Sequence, residues 1–477
     1  MPSLNKFYLD QKQTRLLSGN YPIYPMLGLF TAALSTLTAI NFIPEETYPK
    51  GALFLPALIM TVGLAFAPIY ACTKSPRTIL RAEHLMVISP IYWLLLDLLQ
   101  GAYPMSEATR EGIEGAFIAI GLFTAAAWTA ALTRPFRLPS AIVRAASYSV
   151  KPKIIYLLIL VFFGLGIFRF AYPADFDPIV MFNALIDNRW AAPWSRGALG
   201  GWDAFLDHMA YFGYLLPVLT VLLAHYSRRI NFRVISSVIL SLIMTAFLAQ
   251  GGGRRIIGVI WGAAIVCWVL QQERINVKKL IVAAVSVGLL LIFMQLMLEY
   301  RSTGFQAISD DEKRLEYDYL HVDDNFLRLS QIIERVPEYH PYTYEKQIVY
   351  YAVRPIPRIL WSGKPVDPGF DLPALLGKDG VSLSSSAIGE FYLSWGWITV
   401  LLGGFFYGKL ANTISTLLVD LKGSSAILVY SLATMAIVAG MRSIVEIILM
   451  SYTLLAWMIV TRILVAKRAY TMVSRAA

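Results

Sequence analysis

The sequence predicts an all-α polytopic membrane protein, with about twelve transmembrane helices and one large loop outside the membrane. Three observations carry that expectation. Of 477 residues, 57% are hydrophobic and only 15% charged, with mean hydropathy +0.58, whereas a water-soluble domain is about 25% charged. The apolar residues fall in runs able to cross roughly 30 Å of hydrocarbon, which takes about 20 residues each. Lys and Arg, finally, alternate between dense and sparse from one connecting loop to the next. Soluble multidomain, disordered, collagenous and disulfide-scaffold classes are excluded.

In chain order, helices are predicted over 24–42, 52–71, 85–100, 116–132, 154–170, 207–226, 234–250, 256–270, 280–299, 391–409, 426–441 and 444–461. The first follows a polar tail with no convincing cleavage site, so it reads as a retained helix rather than a signal peptide. Alternate connections then differ sharply in charge. The set 1–23, 72–84, 133–153, 227–233, 271–279, 409–425 and 462–477 holds 23 Lys/Arg, and the opposite set 43–51, 101–115, 169–206, 251–255 and 442–443 holds 8. The stretch Arg134–Lys153, with five positive charges and no acid, anchors the assignment. Positive charge stays on the cytoplasmic side, so both termini are expected there and the long segment outside. The chain divides into residues 1–300 with nine spans, a large loop at 301–390, and residues 391–477 with three more spans and a cytoplasmic tail.

The net charge of +10 follows from those loops facing anionic lipid headgroups and calls for no nucleic acid. Cys72 and Cys267 lie at or within membrane segments, so no disulfide framework and no zinc-type cluster is available. No internal repeat is visible, which disfavours inverted-repeat transporters.

The large loop carries 10 Lys/Arg against 14 Asp/Glu. Val322, Phe326, Leu329, Ile333 and Val336 form the apolar stripe of an amphipathic helix, with Asp324 and Arg328 as an i,i+4 pair on its other side and Pro337 as its stop. A second helix is expected near Tyr344–Val353. The prolines around Arg358 and Lys364 predict a stiff, extended path that presents both cations.

The stretch Pro357-Arg358-Ile359-Leu360-Trp361-Ser362-Gly363-Lys364-Pro365 resembles the PR-x-LW-xx-KP signature of bacterial polysaccharide repeat-unit polymerases of the O-antigen polymerase (Wzy) type. Ile388-Gly389-Glu390-Phe391-Tyr392, followed by Trp395-Gly396, resembles the same family's re-entry into the next helix. The turn Gly251-Gly252-Gly253-Arg254-Arg255 resembles the arginine-bearing turn shared with O-antigen ligases. The three elements cover the last half of the chain, and the earlier helices match in hydropathy alone. The resemblance implies a GT-C-like membrane glycosyltransferase of the bacterial inner membrane. Such an enzyme joins undecaprenyl-diphosphate-linked oligosaccharide units at the periplasmic face. No metal and no other cofactor is implied, and the partners would be the lipid-linked glycan, membrane lipids and a chain-length regulator protein. Related ligases carry a histidine where this chain has Gly389-Glu390, which disfavours a ligase.

Glycosyl transfer from a lipid diphosphate needs cations for the departing phosphates, and arginine's planar fork suits them. Arg254, Arg255, Arg301, Arg358, Lys364 and Arg442 are the candidates. The bland alternatives are snorkelling to headgroups and, for Arg442, an i,i+4 pair with Glu446. A base must take the acceptor proton. Glu390 at the membrane entrance comes first, against the alternative of an acid at a helix N-terminus, with His321 and His340 as substitutes. Trp361, Tyr392 and Trp395 are the candidate sugar-stacking rings, joined by Tyr350, Tyr351 and Trp397. Aromatic residues also line every membrane interface. Asp97, inside a span, must be paired or functional. One candidate base and no carboxylate pair predict direct displacement with inversion. The rival classes are a transporter or flippase of lipid-linked oligosaccharide and a scaffold of an envelope-assembly complex.

Overall fold

A computed structural model describes residues 23–187, 191–194, 201–227, 230–250, 253–272, 275–300, 304, 319–354, 356, 360–365, 367–378, 383–419 and 423–476, and not the side chains of 201–205, 299–300 and 467–476. Every regular element among these residues is a helix. Among the described residues, nine helices are long and apolar enough to cross a membrane, and Ser424–Gly440 is a shorter apolar helix. The chain is therefore a polytopic helical membrane protein.

The main helices are α1 (Ile23–Asn41), α2 (Phe54–Lys74), α3 (Ala82–Leu99), α4 (Arg110–Ala131), α5 (Pro152–Ala171), α6 (Gly201–Gly213 continuing as Leu216–Tyr226), α7 (Phe232–Gln250), α8 (Arg254–Leu270) and α9 (Val277–Tyr300). The long connection contributes α10 (Asn325–Arg335) and α11 (Glu345–Val353). Then follow α12 (Ser386–Trp395), α13 (Trp397–Val419), α14 (Ser424–Gly440) and α15 (Ile444–Ala476). Short helices at Ser140–Ala146, Pro178–Ile186 and Leu372–Leu375 have no periodic signal long enough to be read from sequence.

Two helices depart from a straight span for identifiable reasons. In α3, Pro90 cannot donate to the helical ladder, and the next residues, Ile91–Leu95, form a π-helical turn. That turn carries Tyr92 and Trp93, and Asp97 follows it in the last turn of the helix. The expected span 391–409 is in fact two helices. Gly396, at φ 63°, takes a backbone conformation that side chains rarely adopt and that breaks the helical path, so α12 stops at Trp395 and α13 starts at Trp397.

The bundle's tightest seam joins α13 to α4. Gly404 and Gly408, one turn apart, leave no room for a side chain: a Cβ would lie 2.2 Å from the Phe123 and Ala127 carbonyl oxygens respectively. Small residues at this spacing let backbones approach where lipid offers no hydrophobic driving force. The loop helix α10 is not a solvated lid. Its stripe of Val322, Phe326, Leu329 and Val336 is buried against the bundle, and so are Asn325, Arg328 and Gln331 on its other side. Arg328 lies 3.6 Å from Asp324, as the sequence spacing predicts, and 3.4 Å from Glu107. This packing seats the start of α10 at the bundle end that carries the long connection, called here the loop end.

Candidate functional site

At the loop end, three arginines from two distant parts of the chain meet two acids. Arg254 and Arg255 are the first residues of α8, and Arg442 sits in the turn between α14 and α15. Asp323, just before α10, lies between two of them: it pairs with Arg254 through one oxygen and accepts from Arg442 Nε at 2.6 Å through the other. Arg254 also donates to the His321 carbonyl at 3.1 Å. Glu446, wholly buried on α15, lies 2.9 Å from Arg255 Nη1 and 3.9 Å from Arg442 Nη1. Burial alone would raise the Asp323 pKa, but Arg442 and Arg254 outweigh it and hold the carboxyl well below the usual carboxylate range.

The segment carrying Asp323 has no regular structure, and its backbone is held by side chains of the bundle. Leu320 exchanges hydrogen bonds with Gln100, the His321 N–H donates to Gln295 at 3.2 Å, and the Val322 N–H donates to Asp97 at 3.3 Å. Asn325 closes the turn onto the Trp93 and Val322 carbonyls at 3.0 and 2.9 Å. Asp97 thus has the partner that sequence alone could not name, the backbone N–H of Val322 next to Asp323.

Glu390 lies beside this cluster on α12. Its Oε1 accepts from Ser443 Oγ at 2.6 Å and its Oε2 from the Ile444 N–H at 2.8 Å, at the N-terminus of α15. Ser385 and the Tyr351 hydroxyl add weaker bonds. Desolvation outweighs all of these, and the Glu390 pKa is pushed up to about 7. The sequence suggested a helix N-terminal acid as the plain alternative for Glu390. The structure gives it that position, on α15 rather than on its own helix.

From Arg255, a groove runs down the bundle between α3, α8, α9 and α14, with a cavity volume of about 400 Å³. Tyr92 and Trp93 line it on α3, Gly258 and Gly262 on α8 and Met294 on α9, and Gln272, after α8, and Lys279, at the start of α9, lie at the opposite end of α8 from Arg255. Almost everything between is apolar. Arg255 to Gln272 on α8 and its continuation corresponds to about 25 Å at about 1.5 Å per residue, most of a hydrocarbon thickness.

The other predicted residues fall elsewhere. Arg301 and Arg358 lie outside the described residues, as do Gly251, Gly252 and Trp190. Lys364 does not extend from a stiff path: its Nζ turns back onto the Arg354 and Ile356 carbonyls at 3.0 and 2.6 Å. The His340 ring faces the Pro341 carbonyl and Phe370, while the His321 ring lies 3.8 Å from Asp324. Tyr392 is a packing residue rather than an open stacking face. It is buried between Tyr342 and Trp397 and donates to the Val336 carbonyl. Trp361 and Trp395 are exposed. Sequence reasoning missed Asp323 and Ser443. Asp323 stands beside Asp324, which has the i,i+4 signal with Arg328 that Asp323 lacks, and Ser443 carries no signal at all.

Residues 321–469 match a family described as a domain of unknown function (DUF8712). The match begins at the Asp323 segment and runs through Glu390, Arg442 and Glu446. No curated protein and no solved structure matches the chain.

Proposed function

We propose that the protein is a glycosyltransferase of the repeat-unit polymerase class, with about twelve spans in a GT-C-like arrangement. It would lie in a bacterial inner membrane with both termini cytoplasmic and the loop end periplasmic. It would transfer a growing glycan from its undecaprenyl diphosphate to a sugar hydroxyl of an incoming lipid-linked unit. One observation carries this reading: the membrane-length apolar groove opens onto Arg255, where the arginine cluster and a buried glutamate stand together. An isoprenoid tail suits the groove, and the diphosphate suits the guanidinium groups at its mouth.

In the chemical step the acceptor hydroxyl oxygen attacks the anomeric carbon and the carbon–oxygen bond to the diphosphate breaks. The diphosphate leaves with the bonding pair, and Arg255 with its neighbours stabilises the developing charge. The hydroxyl proton passes to Ser443 Oγ while Ser443 gives its own proton to Glu390. A single displacement inverts the anomeric configuration.

A carrier of lipid-linked oligosaccharide is the second reading, favoured by the reach of the groove from Arg255 to Lys279. The two separate in one experiment. Purified protein in nanodiscs is incubated with an undecaprenyl-diphosphate-linked repeat unit, beside Arg255→Ala and Glu390→Gln, with no nucleotide sugar or metal added. A glycan ladder from unaltered protein alone supports the polymerase. No ladder, but movement of intact substrate across a vesicle bilayer, supports the carrier.

A further inference from the structure

We propose that the Asp323 carboxylate is a stand-in anion, occupying the position between Arg254 and Arg442 that a phosphate group takes when substrate binds, and that the 319–325 strap moves aside as the phosphate enters. The inference rests on the lipid-diphosphate reading above and adds an occupant that must leave.

Four features of the strap support it. First, the carboxylate spends each oxygen on a different arginine, from α8 and from the α14–α15 turn. This is the bridging geometry that phosphate oxygens adopt with arginine forks. Second, Asp323 and Asp324 sit at φ 75° and 52°. Consecutive non-glycine residues in the left-handed region store strain that the surroundings must hold in place, so the observed position of the strap is one a competing ligand can relieve. Third, among the described residues the backbone N–H groups of Leu320, His321 and Val322 donate to side chains. Side chains can release them without any helix unravelling. Fourth, these tethers come from helices that line the groove. Gln295 follows Met294 on α9, Asp97 follows the Tyr92–Trp93 turn on α3, and Arg254 precedes Arg255 on α8. A headgroup reaching the groove mouth therefore meets the strap directly.

The rival is a fixed clamp, in which Asp323 orients the two arginines and stays. The two differ in sign. A stand-in competes with the ligand, so Asp323→Asn should bind undecaprenyl diphosphate about tenfold more tightly or better, the scale of one charge-assisted hydrogen bond. A clamp organises the site, so the same change should weaken binding. Hydrogen exchange of the unaltered protein in nanodiscs supplies a readout that does not depend on the variant folding. Undecaprenyl diphosphate should accelerate exchange of the 320–323 amides, and undecaprenol, which has the tail without the phosphates, should not.

Binding by the unaltered protein with unchanged exchange at 320–323 would overturn the inference and leave the lipid-diphosphate reading standing. Weaker binding by a folded Asp323→Asn protein, or equal acceleration by undecaprenol, would overturn it likewise. Failure of both proteins to bind undecaprenyl diphosphate would remove the reading and the inference together.

Discussion

Ser443 donates its hydroxyl hydrogen to Glu390 across 2.6 Å, joining the turn before α15 to the middle of α12. The contact links a half-buried hydroxyl to a carboxyl that is 4% exposed. A proton reaching Ser443 Oγ can therefore pass on to Glu390 without Glu390 itself touching a substrate.

That burial sets opposite pH dependences for stability and activity. The folded-state pKa of about 7 lies above the ordinary value of 4.5, so the folded chain holds a proton that the unfolded chain releases between those values. The stability contribution is complete below pH 4.5 and is lost as pH rises through 7, by about 3 kcal/mol in all. Thermal midpoints in nanodiscs should fall between pH 5 and 8, and Glu390→Gln should flatten that slope. Under the proposed mechanism turnover should instead rise with pH through 7, since Glu390 accepts the proton only when ionised. A pH-independent midpoint in the unaltered protein would refute the burial argument.

If the proton passes through Ser443, Ser443→Ala should slow the ladder reaction by about 100-fold, the lower range for general-base catalysis. Glu390→Gln should slow it at least as much. Because the two act on one proton, the double variant should be little slower than Glu390→Gln alone. Multiplicative losses would mean that the residues act separately.

Arg255 carries a prediction about shape as well as charge. Its guanidinium is 38% exposed at the groove mouth while its partner Glu446 is 1% exposed. Arg255→Lys keeps a cation against the buried carboxylate, so the fold should persist, but it loses the planar fork. Polymerisation should fall by about 100-fold, as when one preorganised donor is removed from an oxyanion site, with the thermal midpoint nearly unchanged. Full activity in Arg255→Lys would reduce Arg255 to a structural counter-ion.

Much of the architecture was legible because lipid imposes simple rules. Apolar runs of membrane length mark the spans, and the stripe from Val322 to Val336 marks α10. The stop at Gly396 was not read, because the apolar run of 391–409 passes straight through it. The arginines at the loop end stood out because charge is scarce there, and Glu446 stood out as the i,i+4 partner of Arg442. The longer-range pairings did not. Asp323 reaches Arg442 across more than a hundred residues, and Glu390 caps a helix that begins over fifty residues later. Such pairings are products of packing and leave no periodic trace. The groove was also invisible, since its walls read as ordinary apolar helix. Its course depends on the π-helical turn after Pro90 and on glycines at positions 258 and 262.

The α4–α13 seam gives a stability prediction independent of any activity. A Cβ on Gly408 would meet the Ala127 carbonyl oxygen and main-chain carbons at 2.2–2.7 Å, and backbone cannot yield as a side chain does. Gly408→Val should push the helices apart and cost about 1–3 kcal/mol, the usual range for overpacking. The thermal midpoint in detergent should drop, and Gly164→Val, where nothing lies within 4 Å, should leave it unmoved. Equal midpoints for the two would show that the seam does not govern stability.

The far end of the bundle holds a buried polar knot unrelated to the proposed chemistry. Glu83, 3% exposed, pairs with Arg81 and accepts from the Ser415 hydroxyl, tying α3 to α13. Beside them the Tyr430 hydroxyl donates to the Leu80 carbonyl, tying in α14. Breaking one side of a buried pair costs more than the pair contributes, because a desolvated charge is left facing the gap. Glu83→Gln, which removes the carboxylate opposite Arg81, should therefore destabilise the protein by about 3 kcal/mol or more. The double change Arg81→Met with Glu83→Leu removes both charges together and should recover most of that loss, as measured by thermal unfolding in the same detergent. If the double variant is no more stable than Glu83→Gln, the knot is needed for its hydrogen bonds to Ser415 rather than for charge neutralisation, and the tie between α3 and α13 is its principal contribution.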